Sequence, residues 1–78
     1  MDTLERIQQL ARKEFSLEAG QLDPAAPLDS LGIDSLSFVE FMYKIEEEFG
    51  VSVADEHLKR IKTLRDVERQ VAAALARQ

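Results

Sequence analysis

Asp34 and Ser35 are the residues of this sequence best placed to do chemistry, because they stand where a loop meets a long amphipathic segment. Asp and Ser are both preferred helix caps, so either one can satisfy the free N–H groups at a helix start. The same N–H groups, together with the helix dipole, also stabilise an attached phosphate. Position alone therefore leaves two interpretations of Ser35 open: a helix cap, or the attachment point of a phosphodiester.

The segment after Ser35 has one strongly apolar face. At about 100° per residue, five large apolar side chains fall on one side of the predicted helix, between about 140° and 240° from Leu36. They are Phe38, Phe41, Met42, Ile45 and Phe49. Large side chains at this spacing usually pack into a core, so we expect this face to point inward.

The opposite face of the same segment mixes apolar side chains with carboxylates. We call this set the partner patch, and it consists of Leu36, Val39, Glu40, Tyr43 and Glu47. Three apolar or aromatic side chains beside a charged stripe favour a docking surface over plain solvated surface. The two carboxylates would orient a basic partner, and the apolar side chains would supply contact area.

Four helices must position these residues. Apolar side chains recur at helical spacing in Thr3–Phe15, Ser35–Phe49, Asp55–Ile61 and a fourth helix that starts at Thr63. The fourth helix is expected to turn four side chains inward: Leu64, Val67, Val71 and Leu75. No strand pattern competes, so the sequence predicts an all-α, small four-helix bundle with a short third helix.

A long connection, Ser16–Asp34, separates the first two helices. It contains two prolines and two glycines, which break helices. A connection of this length is unusual in a small domain unless it is packed or functional. Its apolar residues are Leu22, Leu28, Leu31 and Ile33, and they indicate that the loop packs against the bundle.

Composition narrows the class of protein. The 78 residues predict a single domain, 1–78, with a net charge of −5, which disfavours nucleic acid and favours basic partners. There is no cysteine, and His57 is the only histidine, so we expect neither a metal site nor an enzyme. The sequence shows no signal peptide and no membrane span, which predicts a cytoplasmic protein. We expect it to be a monomer.

The run Leu31–Leu36, with the letters LGIDSL, resembles the phosphopantetheine attachment motif of acyl carrier proteins. The downstream run Ile45–Val51, with the letters IEEEFGV, is similar to the end of the same helix in that family. The resemblance extends over nearly the whole chain. A second Asp-Ser-Leu occurs at Asp29, but it lies inside the loop and starts no long helix. Ser30 is therefore predicted to be a turn residue.

The resemblance implies a carrier that catalyses nothing itself. A phosphopantetheinyl transferase would attach 4'-phosphopantetheine to Ser35, with Asp34 helping to position the site. The arm would hold acyl groups as thioesters and present them to a ketosynthase, an acyltransferase and other acyl-processing enzymes. In this family partners meet the start and outer face of the second helix, which is where the partner patch lies.

Several residues depart from the pattern of the fatty-acid members of the family. Ser37 replaces a commonly acidic residue, Lys44 adds a positive charge to the acidic face, and the third helix is basic. These departures favour a specialised carrier for a dedicated pathway, such as a polyketide pathway. Two alternatives stay open: a carrier of amino acids in peptide synthesis, and a helical interaction module that has no prosthetic group.

Overall fold

The computed structural model describes residues 2–77, which form four α-helices. The helices are α1 (Thr3–Phe15), α2 (Ser35–Phe49), α3 (Asp55–Leu58) and α4 (Leu64–Ala76). Two short 3-10 turns, Ala19–Gln21 and Leu28–Leu31, lie in the connection between α1 and α2. Within residues 2–77 there is no strand, so the predicted all-α fold is confirmed. No helix in this part of the chain is both long enough and apolar enough to cross a bilayer.

The ends of the long helices follow from local chemistry. The Asp2 carboxylate accepts the Glu5 N–H at 2.8 Å and caps the start of α1. Gly50 ends α2 in the left-handed conformation, with φ at 66°, which glycine adopts without steric cost. Thr63 and Asp66 form a reciprocal capping box at the start of α4. These three boundaries agree with the sequence prediction.

The short third helix ends earlier than predicted. The sequence predicts Asp55–Ile61, but α3 stops at Leu58. Beyond it, the N–H groups of Arg60 and Ile61 bond to carbonyls only three residues back, at 3.0 and 3.2 Å. Hydrogen bonds to the third residue back close a turn, whereas an α-helix requires bonds to the fourth residue back. Ile61 is nevertheless buried, as its apolar character predicts.

The core is formed mainly by α1, α2 and α4. Seven fully buried large side chains lie at its centre: Ile7, Phe41, Met42, Ile45, Leu64, Val67 and Val71. Phe15 packs on Phe41 with ring centroids 5.2 Å apart, a favourable tilted geometry. The predicted inward face of α2 is thus confirmed, although Phe38 and Phe49 are only half-buried.

One residue of α4 was assigned to the wrong face. Leu75 was expected to point inward, but its side chain is 37% exposed, and Ala74 is buried in its place. The buried residues of α4 follow the spacing 64, 67, 71, 74, which alternates steps of three and four. Residues separated by alternating steps of three and four stay on one face of a helix. The next buried position after Val71 is therefore Ala74.

The long connection is tied to the far end of the chain by backbone hydrogen bonds. The Leu28 N–H donates to the Lys62 carbonyl at 2.8 Å, and the Arg65 N–H donates to the Pro24 carbonyl at 3.0 Å. Leu28 is buried, and the other apolar residues of the loop pack against the core. The predicted packing of this loop is confirmed, and it fixes the approach of the chain to α2.

We expect Thr63→Ala to destabilise the fold because the mutation removes the cap of α4. The Thr63 hydroxyl accepts the Asp66 N–H at 3.1 Å, and loss of a threonine cap costs about 1 kcal/mol. In a domain of this size that corresponds to a fall in Tm of about 4–8 °C. Thermal denaturation followed by circular dichroism measures it. Ser52→Ala, at an exposed residue outside the helices, is the control, and an equal Tm for the two variants would contradict the assignment.

Candidate functional site

The start of α2 is capped by Asp34 and not by Ser35. Asp34 has an extended backbone, with φ −86° and ψ 175°, and its carboxylate accepts the Ser37 N–H at 2.8 Å. The first helical hydrogen bond, from the Phe38 N–H to the Asp34 carbonyl, measures 2.9 Å. The helix cap is therefore Asp34, the residue before the serine, and Ser35 does not serve as the cap.

Ser35 is the first residue of α2, and its side chain is exposed. None of the side-chain hydrogen bonds among residues 2–77 involves its hydroxyl. The Ser30 hydroxyl, in contrast, donates to the Pro27 carbonyl at 2.6 Å and closes a turn. The prediction that Ser30 is a turn residue is confirmed, and Ser35 is the serine of the two with a hydroxyl open to a reagent.

Gly32 sets the direction in which the chain enters α2. It ends the second 3-10 turn with φ at 78°, in the left-handed region. Space is not the constraint, because an added Cβ would meet no atom within 4 Å. The backbone conformation is the constraint, since residues with a Cβ rarely adopt it. This accounts for the glycine three residues before Ser35.

Hydrogen bonds from Ser37, first from its backbone N–H and then from its hydroxyl, hold the pKa of the Asp34 carboxyl below its ordinary value of 3.8. An ionised carboxylate is the better acceptor of N–H groups and interacts favourably with the positive end of the helix dipole. Asp34 therefore stays charged at neutral pH and keeps the first turn of α2 ordered beside Ser35.

A groove of about 450 Å³ opens beside Ser35. Its lining comes from three separate parts of the chain: Pro27, Leu28, Asp29, Ile33, Asp34, Ser35, Phe38, Ile61 and Lys62. Leu28 and Ile61 are buried, whereas Ile33 and Phe38 are half-buried and form an apolar wall open to solvent. Sequence reasoning missed the groove as a site. Its apolar residues were expected to pack, but only the folded chain brings Ile61 and Lys62 next to Ser35.

The partner patch lies on the outer face of α2, with one adjustment. Leu36 and Tyr43 are 70% and 65% exposed, and Glu40 and Glu47 are also exposed. Val39, expected to point outward, is half-buried. It lies about 60° around the helix from Leu36, on the border of the core.

The carboxylates of α2 divide into two groups. Glu46 accepts the Val53 N–H at 2.9 Å, and Glu48 pairs with Arg6 at 2.8 Å. Glu40 and Glu47 take part in none of the ion pairs formed among residues 2–77. Two of the four glutamates therefore hold the structure together, and the other two are available to an external partner.

The surroundings of Lys44 and His57 do not indicate a second site. Lys44, which breaks the acidic face in the sequence, forms an ion pair with Glu14 of α1. His57 is half-buried in α3. Within residues 2–77 no group of three or more His, Cys, Asp or Glu side chains is arranged to hold a metal ion.

Comparison with known proteins decides the family. Residues 5–71 match the family described as "Phosphopantetheine attachment site". The acyl carrier protein of Helicobacter hepaticus is 32% identical over 74 residues, which cover 94% of this chain and 97% of that relative. This chain belongs to the acyl carrier protein family. The acyl carrier protein of Zymomonas mobilis is 38% identical over 66 residues, covering 83% of this chain and 85% of that relative.

The fold of this acyl carrier protein agrees with a solved relative. The crystal structure of an acyl carrier protein from Thermotoga maritima matches with a TM-score of 0.81, at 20% sequence identity. The match covers 95% of this chain and 87% of that one. At this identity the likeness bears on the fold alone, which it supports in full.

Membership of the family establishes the chemistry of the carrier in outline. The protein carries covalent 4'-phosphopantetheine, works with biosynthetic enzymes, and is a carrier and not an enzyme. The surroundings of Ser35 fit such a group. The hydroxyl is exposed at a helix start, where N–H groups and the dipole favour a phosphate. The apolar wall of the adjacent groove suits the arm beyond it.

Ser35→Ala should leave the fold as stable as the wild type. The hydroxyl makes no capping hydrogen bond, so the free energy of unfolding should change by no more than about 0.5 kcal/mol. Urea denaturation followed by circular dichroism gives this value. A loss of 1 kcal/mol or more, as expected for removal of a cap, would contradict the assignment of the cap to Asp34.

The capping hydrogen bond of Asp34 should weaken in acid. The pKa of this carboxyl is lowered in the folded state, so its contribution to stability is full above the ordinary value and is lost as pH falls through the folded-state pKa. Carbon-13 NMR of the Asp34 carboxyl should show a midpoint below 3.8. The Ser37 amide resonance should move with the same midpoint, and Asp34→Asn should abolish that movement. A midpoint above 3.8 would contradict the hydrogen-bonded cap.

Proposed function

We propose that this acyl carrier protein receives 4'-phosphopantetheine on the Ser35 hydroxyl and presents acyl groups to fatty-acid or polyketide-type biosynthetic enzymes. One observation carries the choice of residue: the exposed hydroxyl of Ser35, at a helix start, forms no hydrogen bond with residues 2–77, whereas the hydroxyl of Ser30 donates to the Pro27 carbonyl. When bound, the arm supplies a thiol that holds acyl groups as thioesters.

The residues around Ser35 have distinct roles in this function. Asp34 fixes the first turn of α2 and so holds the Ser35 hydroxyl at a constant position for the phosphopantetheinyl transferase. The N–H groups of that turn favour the phosphate once it is attached. Ile33 and Phe38 form the apolar wall along which the arm can lie between visits to enzymes.

The partner patch is the surface through which the transferase, the ketosynthase and the acyltransferase would dock. Leu36 and Tyr43 are exposed enough to bury apolar area on a partner. Glu40 and Glu47, which form no ion pair within residues 2–77, would steer and orient a basic surface. Val39 is half-buried and would contribute at the border of the contact.

We also propose that the carrier is specialised and does not serve the general fatty-acid pathway. Support comes from three departures from the pattern of the fatty-acid members of the family: Ser37 in place of an acidic residue, Lys44 within the acidic face, and the basic stretch after α3. That the carrier is a monomer, forms one domain over residues 1–78 and resides in the cytoplasm remains as predicted from the sequence.

Attachment to Ser35 is tested by incubating the purified protein with coenzyme A and a broad-specificity phosphopantetheinyl transferase. We expect the intact mass to increase by one phosphopantetheine in the wild type and in Ser30→Ala, the matched control. Ser35→Ala should gain nothing. An arm on Ser35→Ala, or no arm on the wild type, would refute the assignment.

The two alternative functions that the sequence left open predict different results in loading assays and in the mass of the native protein. A carrier of amino acids would be loaded by an adenylating enzyme and not by an acyltransferase. A module without a prosthetic group would bind its partners equally well as Ser35→Ala, and protein purified from its native cell would carry no arm. Loading assays and the mass of the native protein therefore separate the three functions.

A further inference from the structure

Three exposed cations follow α3, and the last of them, Lys62, lines the groove beside Ser35. Lys59, Arg60 and Lys62, which we call the basic segment, follow the end of α3. All three residues are exposed, and none takes part in an ion pair among residues 2–77. Most surface cations elsewhere in α1, α2 and α4 behave differently: Arg6, Lys44, Arg65 and Arg69 all have carboxylate partners.

The backbone of the basic segment is held in place. The N–H groups of Lys59 and Arg60 bond to Asp55 and His57 carbonyls at 3.3 and 3.0 Å. The Lys62 N–H donates to the Asp66 carboxylate at 2.9 Å, and its carbonyl accepts the Leu28 N–H at 2.8 Å. Ile61, between them, is buried. The three cations are thus presented from a fixed backbone, which reduces the ordering entropy that a partner must overcome.

Of the three cations of the basic segment, Lys62 lines the groove beside Ser35. Lys62 lines the groove on one side, and the start of α2 with Ser35 and Phe38 lines it on the other. An enzyme that receives cargo from Ser35 must approach this groove, so it comes close to Lys62. Glu40 and Glu47 are exposed on α2, the helix that begins at Ser35, so the surface around the serine offers carboxylates from α2 and a cation from Lys62.

None of the carboxylates near the basic segment forms an ion pair with its three cations among residues 2–77. Asp55 and Glu56 stand at the start of α3, where they interact favourably with the helix dipole. Asp66 is occupied by the N–H groups of Lys62 and Thr63. Asp29 lines the groove with Lys62, but the two side chains form no ion pair.

We propose that Lys59, Arg60 and Lys62 form a second docking surface, which binds an acidic patch on the enzyme that accepts cargo from Ser35. The inference rests on the proposed function and extends it, because it assigns the partner's surface two opposite charges. The partner presents basic groups to Glu40 and Glu47 and acidic groups to the basic segment. Such an arrangement fixes the orientation of docking and rejects partners whose surface is uniformly basic.

The test reverses the charges of the basic segment and measures whether the KM of a partner enzyme for the carrier rises or falls. The probe is a purified ketosynthase from the same genome that accepts acyl groups from the loaded carrier. We expect Lys59→Glu/Arg60→Glu/Lys62→Glu to raise KM for the carrier about tenfold with little change in kcat. Glu40→Lys/Glu47→Lys should also raise KM, because the new lysines would repel the basic groups that the partner presents to α2. Both effects should shrink as salt is added.

A matched control reverses three positive charges at another part of the surface. Arg12→Glu/Lys13→Glu/Arg77→Glu reverses three exposed cations that form no ion pair within residues 2–77 and do not line the groove. This control should leave KM within about twofold of the wild type. An equal effect of the control and of the basic-segment variant would overturn the proposal. So would a lower KM for the basic-segment variant, as expected for a partner with a uniformly basic surface.

A binding measurement separates this proposal from the proposed function. Each set of charge changes is also made in the Ser35→Ala protein, and its affinity for the ketosynthase is measured by isothermal titration calorimetry. Weaker binding only in the basic-segment and Glu40/Glu47 variants supports the bipolar surface, whatever residue carries the arm. Unchanged binding in the basic-segment variant overturns it, even where Ser35 of the wild type accepts phosphopantetheine. Retained helical circular dichroism shows that the variants are folded.

Discussion

The loop between α1 and α2 is anchored to the connection between α3 and α4 by backbone hydrogen bonds, and the functional end of the molecule depends on this anchor. The bond from the Leu28 N–H to the Lys62 carbonyl brings the second 3-10 turn beside Ile61. Gly32 then turns the chain, and Asp34 caps α2. The groove, the exposed hydroxyl of Ser35 and the position of the basic segment all follow from this one junction. Because backbone groups make it, many side-chain sequences can keep it.

The charged residues of α2 show how a short helix serves both folding and recognition. Asp34, Glu46 and Glu48 each have a partner within the molecule: the Ser37 N–H, the Val53 N–H and Arg6. Arg6 also lies over the Phe49 ring at 4.3 Å, which closes the far end of the helix. Glu40 and Glu47 have no such partners among residues 2–77, and they lie on the face that carries Leu36 and Tyr43. A change at a structural carboxylate should therefore affect stability first, and a change at a free one should affect association.

Much of the fold could be predicted from the sequence because strong local signals mark it. Asp2, Gly50 and Thr63 define helix boundaries by short-range hydrogen bonds or backbone conformation. The errors have a different origin. Leu75 and Ala74 are both apolar and one position apart, so only the packing of α4 distinguishes them. Likewise, Asp34 and Ser35 are both good caps, and only the backbone geometry shows which of them does this. The groove was not predictable, because it joins residues far apart in the chain.

Because Asp34 caps α2, the start of this helix does not depend on whether the next residue, Ser35, is modified. The helix start is complete before anything is added to Ser35, because the cap and the first helical bond both belong to Asp34. Under the function proposed above, the cap of α2 is therefore the same with and without the arm. Proteases that select unfolded chains would then not distinguish the two forms.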